Sequence, residues 1–221
     1  MFIGHFGLGF GAKRALPAVS LGLLFLAVQL ADLLWPTLVL LGVEELRVLP
    51  GATKVTPLDF VHYPYSHSLL TMVAWGALLG TGYVLLRRAR VSAGVTLALL
   101  VVSHWVLDVV THRPDMPLTP WGSERLGLGL WNSRPGTLVV ELILFLGGIA
   151  LYARATEPRD RTGRLAFVGL VIFLLVVNVA NLLGPPPPSA AAVAWTAQAV
   201  WLLVLWGAWV DRHRRPRAGT P

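Results

Sequence analysis

Between Arg164 and Gly184 the chain runs LAFVGLVIFLLVVNVANLL, nineteen residues without a charged side chain. Coiled as an α-helix, such a stretch is roughly 28 Å long, close to the thickness of a bilayer's hydrocarbon core. Lipid offers no partner to a bare peptide group, so only helices and closed barrels cross it. The ten-residue alternation of a barrel strand is missing, which leaves helices. Comparable apolar segments fall near 17–41, 67–87, 92–112, 137–154 and 190–210, with a shorter one at 2–14. Charged residues make up 13% of the chain, about half the share of a soluble domain. The pattern predicts an all-α, polytopic membrane helix bundle of about six spanning helices plus a short N-terminal helix. It forms a single domain over 1–221, with the chemistry in 1–145 and buttressing helices in 160–211. The PPPP run at 185–188 reads as a stiff connector.

The net charge of +7 raises nucleic acid as a partner, but no soluble basic domain is present to bind it. The charge is instead sorted between loops. Thirteen of the eighteen Lys and Arg residues fall at Lys13-Arg14, Arg87 to Arg90, Arg154 to Arg164 and Arg212 to Arg217. These segments share one side of the predicted bundle, and the excess marks that side as cytoplasmic. Loops 42–66 and 113–136 then face away from the cytoplasm. Cysteine is absent, so any metal must be held by nitrogen and oxygen. The apolar stretch after Lys13-Arg14 contains Asp32 and lacks a small-x-small cleavage site, so it reads as a retained helix.

Polar residues stand out against this background. SHWVLDVVTH at 103–112 places His104, Asp108 and His112 four apart, on one helix face. An ionisable group at the middle of a membrane helix costs about 2.5–3.5 kcal/mol on insertion scales. Several together need mutual pairing, water or a cation. His67 at the outward start of its helix, Glu141 in the first outward turn of 137–154, and Asp32 and His5 on a hairpin formed by 2–14 and 17–41 all project to the same depth. A divalent cation reconciles them: zinc suits imidazole nitrogen and carboxylate oxygen, with manganese or magnesium as alternatives. Pro36 cannot donate to the Asp32 carbonyl, which predicts a kink where Asp32 enters the cluster.

The motifs Gly4-His5, Ala31-Asp32, His62-Tyr63-Pro64-Tyr65-Ser66-His67-Ser68 and Ser103-His104 with Asp108 and Thr111 resemble those of the bacterial membrane-bound metal-dependent hydrolases of the LexA-regulated inner-membrane type. One Asp stands where that family has an acidic pair, and HYP where it has HRG. The family is in turn similar to the zinc-dependent phospholipase C and single-strand nuclease fold. The resemblance implies the bacterial inner membrane as location and a phosphoester as substrate; a site in the outer half of the bilayer suits a lipid or lipid-linked one. It implies metal ligation by His5, Asp32, His67, His104 and Asp108, with Asp108 able to bridge two ions. His112 and Glu141 are candidates to complete the set, and two ions are the preferred complement. Water activated by the metal would attack the phosphorus, oriented or deprotonated by Asp108. His62 would donate a proton to the leaving group or meet phosphate, and Arg113 and Tyr63 would bind substrate.

Other readings are weaker. Trp35, Tyr63, Tyr65, Trp121 and Trp131 suit an outer aromatic belt that could line a lipid entrance, and Asp59 and Asp115 read as solvated loop residues. Serines beside His67 and His104 invite a serine hydrolase, but no GxSxG elbow is present. A noncatalytic metal-binding protein, or a metal or proton transporter, is the alternative. A transport pathway needs polar positions through the full depth, whereas these gather at one end.

Overall fold

Each apolar segment of membrane length forms helix, and the polar segments between them form short hairpins at the two ends. In the computed structural model, which describes residues 1–217, the order is α1 (Ile3–Ala12), α2 (Leu21–Val28), α3 (Leu30–Leu40), β1 (Glu45–Val48), β2 (Leu58–His62), α4 (Pro64–His67), α5 (Leu69–Arg87), α6 (Val91–Thr111), β3 (Met116–Pro117), β4 (Arg125–Leu126), a 3-10 turn (Leu130–Asn132), α7 (Arg134–Ala155), β5 (Thr156–Pro158), α8 (Arg161–Leu183), α9 (Ala190–Ala197), α10 (Val200–Arg212) and β6 (Arg214–Pro216). Helices α5, α6, α7 and α8, and the α9–α10 pair, are each long and apolar enough to cross a membrane; α2 and α3 together make a sixth, bent by 58°. The all-α polytopic bundle is borne out.

The bend sits elsewhere than the proline suggests. Pro36 lies inside a continuous α3, whereas the helix breaks at Gln29, whose ψ of 9° is outside the helical range. The break coincides with a bond between distant segments. The Val28 carbonyl at the end of α2 accepts from His104 Nδ1 at 2.7 Å, a link that no local pattern announces.

The short α1 packs closely along α7. A Cβ on Gly148 would stand 1.9 Å from the Gly7 carbonyl oxygen, and one on Gly7 would stand 2.4 Å from the Leu144 oxygen. Only glycine permits this approach, which brings the start of α1 to the first turns of α7. One apolar core joins α1, α2, α7, α8 and α10 around Phe6, Phe10, Phe25, Phe145 and Tyr152. A second joins α2, α3, α5 and α6 around Leu24, Met72, Leu97 and Val101.

At one end the antiparallel β1–β2 hairpin and the start of α5 meet the segment after α6, with Val55 N–H donating to Trp131 C=O and Leu70 N–H to Leu118 C=O. At the other end β5 pairs with β6. There buried Lys13 bonds Asp211 at 2.6 Å and the Val19 carbonyl at 2.7 Å, and Tyr152 donates to Asp211 at 3.0 Å. The basic segments at 13–14, 154–164 and 212–217 therefore do share one end, tied together by α10. The expected aromatic belt is only partly present. Trp35 and Tyr63 are buried and Trp131 lies 4.1 Å from the His112 ring, while Tyr65 and Trp121 face outward. The inner three are drawn in by packing against the hairpin and His112.

Candidate metal centre

Five of the anticipated ligands meet at the hairpin end between the two cores. His5 comes from α1, Asp32 from the first turn of α3, His67 from the end of α4, and His104 and Asp108 from successive turns of α6. His5, His104 and Asp108 form one compact trio and Asp32, His67 and His104 another, each with its ligand atoms within 4.8 Å of one another. His104 belongs to both. The His5 and His104 rings stack at 3.8 Å with 5° between their planes. All but Asp32 are buried; its side chain keeps 29% exposure and marks the mouth of the cluster.

Hydrogen bonding sets which ring nitrogens face the centre. His104 Nδ1 bonds a carbonyl, which can only accept, so Nδ1 carries a proton. His67 Nδ1 lies 2.7 Å from the Ser66 hydroxyl. Both rings thus turn Nε2 inward. His104 Nε2 is 3.1 Å from Asp108 Oδ2 and 3.9 Å from Asp32 Oδ1; His67 Nε2 is 3.6 Å from Asp32 Oδ1 and 3.9 Å from Asp108 Oδ2. Buried His104 Nε2 and His5 Nδ1 have no hydrogen-bond partner. A neutral ring that points its lone pair at a carboxylate repels it. The Met1 ammonium answers Asp108 on one side; toward Asp32 and the inward Nε2 atoms, further positive charge fits as protons on the rings or as a cation between them. A nitrogen-and-oxygen donor set of this kind fits zinc. Asp108 Oδ1 faces the other way, 3.0 Å from His5 Nε2 and 2.6 Å from the Met1 amino group. The carboxylate spans both trios with its two oxygens.

The remaining candidates have other surroundings. Glu141 accepts from the amides of Phe2 and Gly4 at 3.1–3.3 Å and so caps the start of α1. Helix α6 ends at Thr111, which takes His112 off the expected stripe. Its Nδ1 bonds Asp115 at 2.9 Å, and burial lowers its pKa. Tyr63 donates to the same Asp115 at 2.9 Å, and burial, reinforced by that carboxylate, pushes its phenol well above the ordinary range. Arg113 pairs with Asp59 and Asp115. Those two aspartates are therefore partners, not merely solvated loop residues, and Arg113 reaches the site already neutralised. His62 is exposed on β2 beside Tyr65, outside the cluster.

Three features escaped the sequence reading: the Val28 carbonyl, the Glu44 carboxylate behind His67, and Gln29, whose fully buried amide has no partner at either end. Only Ser66, adjacent to His67, carried any local signal.

Fold and site together define a polytopic helical membrane protein with a buried His–Asp centre at one end. The family model described as YdjM inner membrane protein matches residues 4–184, and the chain belongs to that family. It is a multi-pass protein of the bacterial inner membrane, as the motifs anticipated. Comparisons with curated proteins and with solved structures return no match.

Proposed function

We propose that the protein is a metal-dependent hydrolase that cleaves a phosphoester of a lipid or lipid-linked substrate at the extracytoplasmic border of the membrane. One observation carries the reading: His67 and His104, each with Nδ1 engaged, direct Nε2 toward Asp32 and Asp108. A bound divalent cation would supply Lewis acidity and a nucleophilic water near neutral pH. Zinc suits the donors best, and Asp108, spanning both trios, favours two ions.

The chain's own residues define the rest. Asp32, the one partly exposed member, favours an approach from the α3 side of the cluster. Oxygens of Asp108 or Asp32 would orient the attacking water and accept its proton. Arg113 already faces two carboxylates, so phosphate charge would be met at the cluster itself. The exposed apolar side chains of Trp121, Leu126 and Leu128 lie on the same end, which suits a substrate whose headgroup lies at the lipid border. Inward of the cluster, Phe10 packs edge-on against Phe25 and Phe145. That apolar plug favours a one-sided site over a transport pathway. The concentration of basic residues at the opposite end favours a site that faces away from the cytoplasm.

The test uses the full chain purified in detergent. Elemental analysis after zinc loading should find about two ions per protein. Phosphate or headgroup release from phospholipid-containing micelles should vanish on chelation and return with zinc. Protein that retains no zinc, manganese or magnesium would end the proposal.

A further inference from the structure

We propose that Glu44 is a positioning residue of this centre, acting through Ser66 to hold His67 in the tautomer that can bind metal. The inference rests on the metal-dependent reading above and concerns a carboxylate that coordinates nothing itself. Glu44 directly precedes β1 and Ser66 lies in α4, just after β2, so the β1–β2 hairpin brings residues 22 apart in sequence into contact.

Glu44 is 3% exposed. Its Oε1 accepts from the amides of Tyr65 at 2.9 Å and Ser66 at 2.8 Å, and its Oε2 accepts from the Ser66 hydroxyl at 2.7 Å. The carboxylate can only accept, so the single hydroxyl proton points to Glu44. The 2.7 Å contact between Ser66 Oγ and His67 Nδ1 must then use the proton of the ring. Nδ1 is protonated, and Nε2 is left as the lone pair that faces Asp32 and Asp108. The direction of the whole chain is set by the one group in it that has no proton to give.

This explains a buried carboxylate where a neutral cap would suffice for the two amides. Among the described residues no cation pairs with Glu44; three hydrogen bonds hold it instead. A glutamine could keep the amide contacts through its oxygen, but its NH2 group would then face Ser66. The hydroxyl would accept from that NH2 and turn its own proton to His67 Nδ1. His67 would carry its proton on Nε2, against the metal.

Glu44→Gln is therefore the decisive variant. Nitrogen NMR of histidine-labelled full-length protein, metal-free in detergent, should show His67 protonated at Nδ1 in the wild type and at Nε2 in E44Q. The resonance is assigned by its loss in His67→Gln. Zinc binding at the Asp32–His67–His104 trio should weaken about 10–100-fold, the usual effect of losing an outer-shell partner of a metal ligand. Should E44Q misfold, Ser66→Ala leaves the amide contacts of Glu44 in place and should weaken zinc similarly, with Ser66→Thr restoring it. A purely structural cap would alter melting temperature alone. The inference is overturned if His67 keeps one tautomer in wild type and E44Q alike, or if S66A and E44Q bind zinc as the wild type does. Wild-type protein that takes up no zinc would refute the metal reading, while the tautomer comparison would still decide the relay.

Discussion

At the scale of single residues, His104 belongs to both trios, but with Nδ1 held by the Val28 carbonyl its one free lone pair can serve only one ion. Asp108 is shared in a second sense, with one oxygen toward each. His5 and His67 each serve one trio only. Metal content should therefore fall in two steps across a variant series. Asp108→Ala should lose all bound zinc, whereas His5→Ala, His67→Ala and His104→Ala should each keep about half of it, since a missing ligand spares the ion it does not serve. Elemental analysis of membrane-inserted, purified protein reads this directly, and equal losses in all four variants would contradict the two-trio arrangement. Glu141 should behave differently. It accepts from backbone amides at the start of α1, so Glu141→Ala removes a helix cap and should cost about 1 kcal/mol of stability. Glu141→Gln, which keeps one acceptor, should bind zinc at the wild-type stoichiometry. A loss of metal in that variant would make Glu141 a ligand after all.

At the scale of elements, what the sequence revealed and what it hid divide along one line: contacts within a helix against contacts between helices. The i to i+4 spacing of His104 and Asp108 is a property of α6 alone, and the two side chains meet as their spacing requires. His112 shares that spacing, but the helix stops one residue short of it, a boundary decided by the loop that follows. The break at Gln29 was equally hidden, because it goes with a carbonyl shared with α6. Glu44 was invisible for the same reason, since its partner lies across a hairpin. Glycine in α1 permits a close approach, which the structure uses against Gly148. That contact carries its own consequence. Gly148→Val would drive a side chain into the Gly7 carbonyl and push α1 off α7. The expected result is a clearly lower melting temperature and loss of the zinc that depends on His5, with the His67-dependent zinc retained. Unchanged melting would show that α1 does not need its seat on α7.

At the scale of the whole molecule, the two ends are chemically different, and the difference follows from what each loop must do. One end is closed by strand pairing and by the buried Lys13–Asp211 pair, with Arg214 stacked 4.8 Å over Phe167. These bonds tie the α8–α10 helices to the α1–α2 hairpin, which gives the buttressing helices a concrete attachment. The other end is covered by the β1–β2 hairpin and the segment after α6, interlocked by Arg134 Nε donating to the Lys54 carbonyl and by Val55 N–H donating to the Trp131 carbonyl. Because the basic residues concentrate at the first end, insertion should leave the second outside the cytoplasm. The natural chain has no cysteine, so single cysteines report on each end without background. Lys54→Cys and Ser123→Cys, both exposed, should react with a membrane-impermeant thiol reagent added to spheroplasts, and Arg90→Cys should react only after lysis. The reverse pattern would place the His–Asp centre on the cytoplasmic side. It would leave the centre's geometry untouched, but it would require the substrate to come from the inner leaflet.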